Sequence, residues 1–102
     1  MKTLIENTIR NIENKYPEDP TITSDLDYIT ELLSKNVDDS ILIINELNEE
    51  SIRWISSRFE GLSYKFQNKK FVECLKNLLS KFPNISYLKE DVQEAVEAFY
   101  EE

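Results

Sequence analysis

Four glutamates near the C-terminus have the spacing of one helix face. They stand at positions i, i+4, i+7 and i+11 and are Glu90, Glu94, Glu97 and Glu101. A row of carboxylates can form charge-assisted hydrogen bonds with lysine or arginine side chains of a partner. The competing interpretation is a solvated face, which accounts for most charge runs. Because like charges repel one another and lie near the negative end of the helix, the row works against local stability, which hints at a use in binding.

The acidic residues are sorted into blocks along the chain. From Glu18 to Glu50 ten acids accompany one base, from Arg53 to Lys89 eight bases accompany two acids, and from Glu90 onward six acids accompany no base. Two groups of acids are the predicted contacts with a partner. The first acidic group is Asp38, Asp39, Glu46, Glu49 and Glu50, and the second acidic group is Glu90, Glu94 and Glu97.

Aromatic and cationic residues in the basic block form an alternative interface. Trp54 and Arg58 are of residue types that often anchor interfaces, and we predict them as further partner contacts. Trp54 also lies between two predicted core isoleucines, so a core or edge position is the preferred interpretation for its ring. Three lysines that could touch phosphate locally follow, at Lys65, Lys69 and Lys70.

Catalytic chemistry has no support in the residue types present. The chain has no histidine and a single cysteine, which excludes the usual zinc sites and any intramolecular disulfide. Its single glycine excludes a glycine-rich phosphate loop. Cys74 stands at helical spacing from Phe71 and Leu78, and we predict a buried, unreactive thiol. We therefore expect a protein that is not an enzyme and that holds neither a cofactor nor a metal.

The overall charge narrows the class of partner. A net charge of −8 and a pI near 4.6 oppose binding to nucleic acids, where attraction to phosphate dominates, and to anionic membranes. They favour a basic protein, a cationic ligand or simply solubility. The sequence shows no secretory signal and no apolar run of the roughly 18 residues that a membrane span needs. We expect a cytoplasmic protein.

Hydrophobic spacing places these residues on helices. With 102 residues, 40% of them hydrophobic, the chain is expected to form one domain, residues 1–102. Apolar residues at helical period predict an all-α fold of about six helices, either a helical bundle or stacked HEAT-like hairpins. The predicted helices are about Thr3–Lys15, Thr23 or Ser24 to Lys35, Asp38 or Asp39 to Leu47, Asn48–Leu62, Asn68–Phe82 and Tyr87–Tyr100.

Single residues predict where some helices begin and end. Thr3 has the spacing of a capping box at the start of the first helix. Asn36 is predicted to end the second helix in a left-handed conformation, and Gly61 to end the fourth. The run Ile41–Ile44 is compatible with a short strand, but the neighbouring helices and its i, i+3 spacing favour a helix. The five tyrosines are expected to be half-buried packing residues.

An internal echo has the period of helical-hairpin repeats. The segment Leu32–Lys35 recurs as Leu78–Lys81, with matches at the same offset of 46 residues at Ser40 and Ser86 and at Leu42 and Leu88. This period lies in the range of repeats such as HEAT, whereas chance is the competing explanation because these residue types are common. If the echo is a repeat, the two acidic groups lie on corresponding helices and can share a face.

Parts of the chain resemble a class of small bacterial proteins. The segments Trp54–Ser63, Phe71–Leu75 and Lys81–Pro83 are similar to a helical segment of immunity proteins that neutralise toxins of contact-dependent inhibition systems. Small size, acidity and a helical build are further points of resemblance. The resemblance implies a cytoplasmic protein that binds a polymorphic toxin, often a basic nuclease, and blocks it directly. It carries no residue's role over to this chain.

The charge supports the same expectation on physical grounds. Nuclease toxins attract phosphate with basic clefts, so an acidic inhibitor gains fast encounter and can occlude the cleft. We expect a monomer before the complex forms. The alternative is an intracellular helical adaptor or regulatory module that binds a protein or peptide of its own cell.

Overall fold

Residues 1–100 are the part of the chain that the computed structural model describes, and they contain seven α-helices and one 3-10 turn. The helices are α1 (Lys2–Glu13), α2 (Thr21–Leu33), α3 (Val37–Glu46), α4 (Glu49–Ile55), α5 (Phe59–Phe66), α6 (Lys69–Lys81) and α7 (Leu88–Glu97), and the turn is Ser56–Arg58. Because α4, the turn and α5 follow one another without a break, they correspond to the single fourth helix of the prediction. The predicted all-α single domain is confirmed, and residues 1–100 contain no strand.

Asparagine side chains begin three of the helices. The side-chain oxygens of Asn36, Asn48 and Asn68 each accept a hydrogen bond of 2.9–3.0 Å from the backbone N–H three residues later. These bonds satisfy donors that the first turn of a helix leaves without partners. The starts predicted at Asn48 and Asn68 are confirmed. The prediction that Asn36 ends α2 in a left-handed conformation is wrong, because its φ of −154° is extended and it caps α3.

The first two helices begin earlier than predicted. Helix α1 starts at Lys2 without a side-chain cap, so the capping box predicted at Thr3 is wrong. Helix α2 starts at Thr21, directly after Pro20, whose fixed φ suits a helix start. Asp19 Oδ1 accepts hydrogen bonds from the backbone N–H and the hydroxyl of Thr21, at 2.8 and 2.6 Å. These hydrogen bonds lower the pKa of the Asp19 carboxyl.

The end of α5 is made by glutamine and not by glycine. Gly61 lies inside α5 with no positive φ, so the prediction that it ends the helix is wrong. The helix continues to Phe66 and ends at Gln67, which has left-handed angles of φ 45° and ψ 53°. Glutamine rarely adopts this conformation, and the sequence therefore gave no sign of it.

All seven helices contribute to one apolar core. The run Ile41–Ile44 is helical, which excludes the strand interpretation, and Leu42 within it faces outward with 61% of its surface exposed. Helix α6 packs against both α3 and α7, and α1 packs against α2 and α4. The largest fully buried side chains are Phe59, Phe71, Ile5, Ile12, Ile29, Leu33, Ile44, Leu47, Ile52, Ile55, Leu62 and Leu75.

Polar contacts join α5 and the turn before it to α7, along what we call the α5–α7 seam. The two segments run parallel, because higher residue numbers of the first segment pair with higher residue numbers of the second in the hydrogen bonds between them. The hydrogen bonds run from Ser56 Oγ to Asp91 Oδ2 (2.7 Å), from Ser63 Oγ to the Ala95 carbonyl (2.6 Å), from Gln67 Nε2 to the Ala98 carbonyl (2.7 Å) and from Tyr100 N to Gln67 Oε1 (2.8 Å). The seam thus satisfies carbonyls at the C-terminal end of α7, where helical donors run out.

The internal echo does not mark equivalent positions. Ser40 is buried and donates a hydrogen bond to the Leu33 carbonyl, whereas Ser86 is exposed. Leu42 is exposed, whereas Leu88 is fully buried. Helix α7 also begins five residues later than the echo of α3 requires, at Leu88 where the offset of 46 would give position 83. Similar residues therefore occupy different environments, which favours chance.

We predict that Ser63→Ala destabilises the fold. The substitution leaves the buried Ala95 carbonyl without the hydroxyl donor, which costs about 1–3 kcal/mol of the free energy of unfolding. Ser57→Ala is the matched control, because Ser57 is exposed and changes of this kind are usually within about 0.5 kcal/mol. Urea denaturation monitored by circular dichroism measures both. Equal stability of the two variants would show that the seam hydrogen bond contributes nothing.

Candidate functional site

The first acidic group lies at the ends of α3 and at the start of α4. Asp38 and Asp39 are in the first turn of α3, Glu46 is its last residue, and Glu49 and Glu50 are in the first turn of α4. Carboxylates in a first turn face the positive end of the helix dipole and stabilise it by a few tenths of a kcal/mol each, to roughly 1 kcal/mol. Four of the five acids therefore have a local structural reason for their position.

Two acids of the first group are also paired within the protein. Lys2 Nζ lies 3.3 Å from Glu46 Oε2, and an Arg53 guanidinium nitrogen lies 3.7 Å from Glu49 Oε1. Such partly exposed pairs contribute little, about 0–1 kcal/mol, so a partner could replace them at small cost. Glu50 lines a small cavity of about 210 Å³ between α1 and α4.

Two members of the second acidic group, Glu94 and Glu97, have no comparable local reason, whereas Glu90 lies in the first turn of α7, where a carboxylate is favourable. Glu90, Glu94 and Glu97 are exposed on α7, and no lysine or arginine of residues 1–100 lies within 4 Å of their carboxylates. Within the described part of the chain, only Gln93 Nε2 donates to one of them, Glu97 Oε1, at 3.2 Å. Glu97 is the last residue of α7, where the helix dipole disfavours negative charge. Glu101, the fourth acid of the predicted row, lies outside the described residues.

The two acidic groups stand on different helices, the first on α3 and α4 and the second on α7. Helix α6 packs against both α3 and α7. Since the 46-residue echo does not relate α3 to α7, it provides no reason to place both groups on one face. We therefore treat them as two surfaces.

Trp54 and Arg58 already make contacts inside the protein. The Trp54 ring is half-buried against the core, and its Nε1 donates to Glu13 Oε2 at 3.4 Å. An Arg58 guanidinium nitrogen donates to Asp27 Oδ1 at 2.6 Å. These contacts connect α4 and the 3-10 turn to α1 and α2. They support the edge position predicted for Trp54, and they give Arg58 a structural role beside the predicted binding role.

Lysines of the stretch Arg53–Lys89 line another cavity. It measures about 540 Å³, lies between α3 and α6, and has Ile41, Lys69, Lys70 and Cys74 in its wall. Both lysines are exposed. This mixed apolar and basic surface is the candidate binding site if the protein is an adaptor.

The tyrosines differ from their prediction. All five are exposed rather than half-buried, by between 42% for Tyr28 and 82% for Tyr16.

Tyr64 and Tyr100 meet edge to face, with ring centroids 6.2 Å apart. With Glu60, Gly61, Glu94, Glu97 and Ala98 they line a cavity of about 380 Å³ at the α5–α7 seam. Sequence reasoning missed this cavity because its residues come from two helices about 30 positions apart. The i, i+4 spacing of Glu60 and Tyr64 was the one available signal.

Residues 1–100 contain neither a group of metal ligands nor a membrane-spanning helix. No three Cys, Asp or Glu side chains in this range are arranged so that they could hold a metal ion. None of the helices described is long and apolar enough to cross a membrane.

The single thiol is enclosed. Cys74 is 4% exposed, which confirms the predicted burial, and its Sγ donates to Asn45 Oδ1 at 3.4 Å. Burial raises the pKa of the Cys74 thiol to about 11, although nearby Lys81 opposes the shift. Because the unfolded chain ionises first, Cys74 lowers the free energy of unfolding as pH rises from about 9 towards about 11.

We predict that the native Cys74 thiol reacts slowly with thiol reagents. A pKa raised from 9.0 to about 11 leaves about 100-fold less thiolate at neutral pH, and burial restricts access further. Labelling at pH 8 should therefore be at least about 100-fold slower than in the urea-unfolded chain. The control is the double variant Cys74→Ala and Ser57→Cys, whose exposed thiol should label rapidly without urea. Native labelling of Cys74 as fast as the control would refute the inert thiol.

Comparison with known proteins adds no relative. No protein-family model matches the chain, and neither the curated proteins nor the solved structures include one that is significantly similar to it. Function must therefore be argued from the charges and surfaces of the chain itself.

Proposed function

We propose that the protein binds and neutralises a basic bacterial toxin domain, with the second acidic group as its main contact. The observation that carries the proposal is the environment of this group. Its exposed carboxylates have no basic partner within residues 1–100, repel one another, and include one at the negative end of α7. Glu90 is favoured by the dipole at the start of α7, but Glu94 and Glu97 are placed against local stability, which is explained if a cationic partner completes their interactions.

A toxin that cuts nucleic acid fits this charge. Such an enzyme needs a basic cleft to attract phosphate, and an acidic protein of net charge −8 competes for that cleft. Attraction between opposite charges speeds encounter, while a few fully desolvated contacts determine how long the complex lasts. The resemblance to immunity proteins supports the same proposal, in which direct occlusion of the cleft blocks the toxin.

The adaptor alternative has a different surface to support it. The cavity between α3 and α6 combines apolar walls with Lys69 and Lys70, and would suit an apolar segment with acidic flanks. A partner bound there would be insensitive to the charges of α7. The location of the interface therefore separates the two candidates.

We predict that neutralising the second acidic group slows association with the partner. The partner is first captured from the native host by cross-linking, identified by mass spectrometry and purified. The triple variant Glu90→Gln, Glu94→Gln and Glu97→Gln should then associate about ten-fold more slowly at low ionic strength and with a weaker dependence on salt. The matched control, Asp38→Asn, Asp39→Asn and Glu50→Gln, removes the same charge from the first acidic group and should have a smaller effect.

Two outcomes would contradict parts of the proposal. If neither triple variant changes the association rate, the acids serve solubility, and an interface on Arg53–Lys70 with Trp54 and Arg58 as anchors becomes the better account. The toxin part is tested separately by expressing the purified partner's gene in a bacterium that lacks this protein. Growth arrest that co-expression relieves is expected, and a harmless partner would favour the adaptor.

A further inference from the structure

The cavity at the α5–α7 seam combines two aromatic rings with three carboxylates. Tyr64 stands on α5, and Tyr100 follows α7; their rings meet at an interplanar angle of 87° and expose 61% and 67% of their residue surfaces. The three acids in the wall are Glu60, Glu94 and Glu97. The hydrogen bonds of the seam fix the walls, since Gln67 binds the backbone of both Ala98 and Tyr100. The cavity is therefore a built feature of the fold.

The chemistry of the wall selects for an organic cation. The faces of tyrosine rings attract cations, and carboxylates pair with them by charge-assisted hydrogen bonds. The acids here do not form a group that could hold a metal ion. A guanidinium group meets both demands, because it is planar, stacks on aromatic rings and binds carboxylates through two parallel N–H donors.

Gly61 lies in the wall of the cavity and has no side chain to occupy it. A glycine inside a helix is less favourable than alanine. The backbone of Gly61 needs no left-handed conformation, and a Cβ built on it would meet no atom of residues 1–100 within 4 Å. Neither conformation nor packing requires glycine at this position. What glycine does provide is room in the cavity wall between the residues Glu60 and Tyr64.

We propose that this cavity receives an arginine side chain of the basic partner. The proposal rests on the proposed function for the source of the arginine, but the site itself can be tested without the partner. The arginine contact adds a single anchoring interaction to the proposed function, next to the second acidic group. Glu94 and Glu97 belong to the second acidic group and to the cavity wall, whereas Glu60, Gly61 and the two tyrosines belong to the cavity wall alone.

The first test uses a small probe in place of the partner. N-acetylargininamide is titrated into the isotopically labelled protein, and the amide of Gly61 and the ring signals of Tyr64 and Tyr100 are followed by NMR. We expect saturable shifts with a Kd on the order of millimolar, as suits so few contacting atoms. N-acetylcitrullinamide, which has nearly the same shape without the charge, should shift them at least ten-fold less. Equal effects of the two probes, or none from either, would overturn the proposal.

Substitution of Gly61 tests the cavity without harming the fold. Gly61→Leu fills the space, while Gly61→Ala is the matched control that adds one methyl group; both replace glycine in a helix with better helix formers. Both variants should unfold at or above the wild-type temperature. Gly61→Leu should weaken probe binding at least ten-fold, and Gly61→Ala by no more than about two-fold. Wild-type binding by a folded Gly61→Leu variant would overturn the proposal.

The same pair of variants connects the cavity to the partner. In high salt, where attraction over distance is screened, Gly61→Leu should raise the Kd for the purified partner at least ten-fold relative to Gly61→Ala. An unchanged Kd would overturn the arginine contact even if the charge-removal experiment on α7 succeeds. Conversely, the probe titration can succeed when that experiment fails, so the two proposals fail separately.

Discussion

The α5–α7 seam is the constraint on which the shape of the candidate site depends. Ser56, Ser63 and Gln67 bind polar groups at successive levels of α7, and so set the register of two parallel helical segments. Ser56 and Ser63 are buried, so a shift of one turn would leave their hydroxyls without these partners. This register determines which residues of α5 and α7 face each other. It brings Glu60 and Tyr64 of α5 opposite Glu94 of α7 and Tyr100, which follows α7.

The acids of this protein serve different purposes according to their position on a helix. In the first turns of α3, α4 and α7, carboxylates interact favourably with the helix dipole, so the presence of Asp38, Glu49 or Glu90 says little about a partner. Glu97 has the opposite relation to the dipole of α7, and neighbouring Glu94 adds repulsion. Identical residue types thus differ in what they imply. This difference is why we place the interface on α7 rather than distributing it over every acidic block.

Helical period and caps predicted most of the fold. Apolar spacing identified the helical segments, and Asn48 and Asn68 begin helices as expected, because asparagine is a favoured N-terminal cap. Asn36 was ambiguous, since asparagine both ends helices and caps them, and only the hydrogen bond to Asp39 N decides between the two. The prediction for Gly61 was wrong because glycine usually marks the C-terminal end of a helix, whereas here it lies inside α5. The cavity could not be predicted, because it depends on the register of residues about 30 positions apart.

The central claim is that the partner covers α7 and the neighbouring face of α5. Carboxyl footprinting of the purified complex, with carbodiimide labelling read by mass spectrometry, tests it most directly because each acid reports its own accessibility. We predict that Glu60, Glu90, Glu94 and Glu97 lose labelling on binding, while Asp38 and Asp39 stay labelled as in the unbound protein. Unchanged labelling of the α7 glutamates, with protection confined to Glu73, which lines the cavity between α3 and α6, would contradict the account.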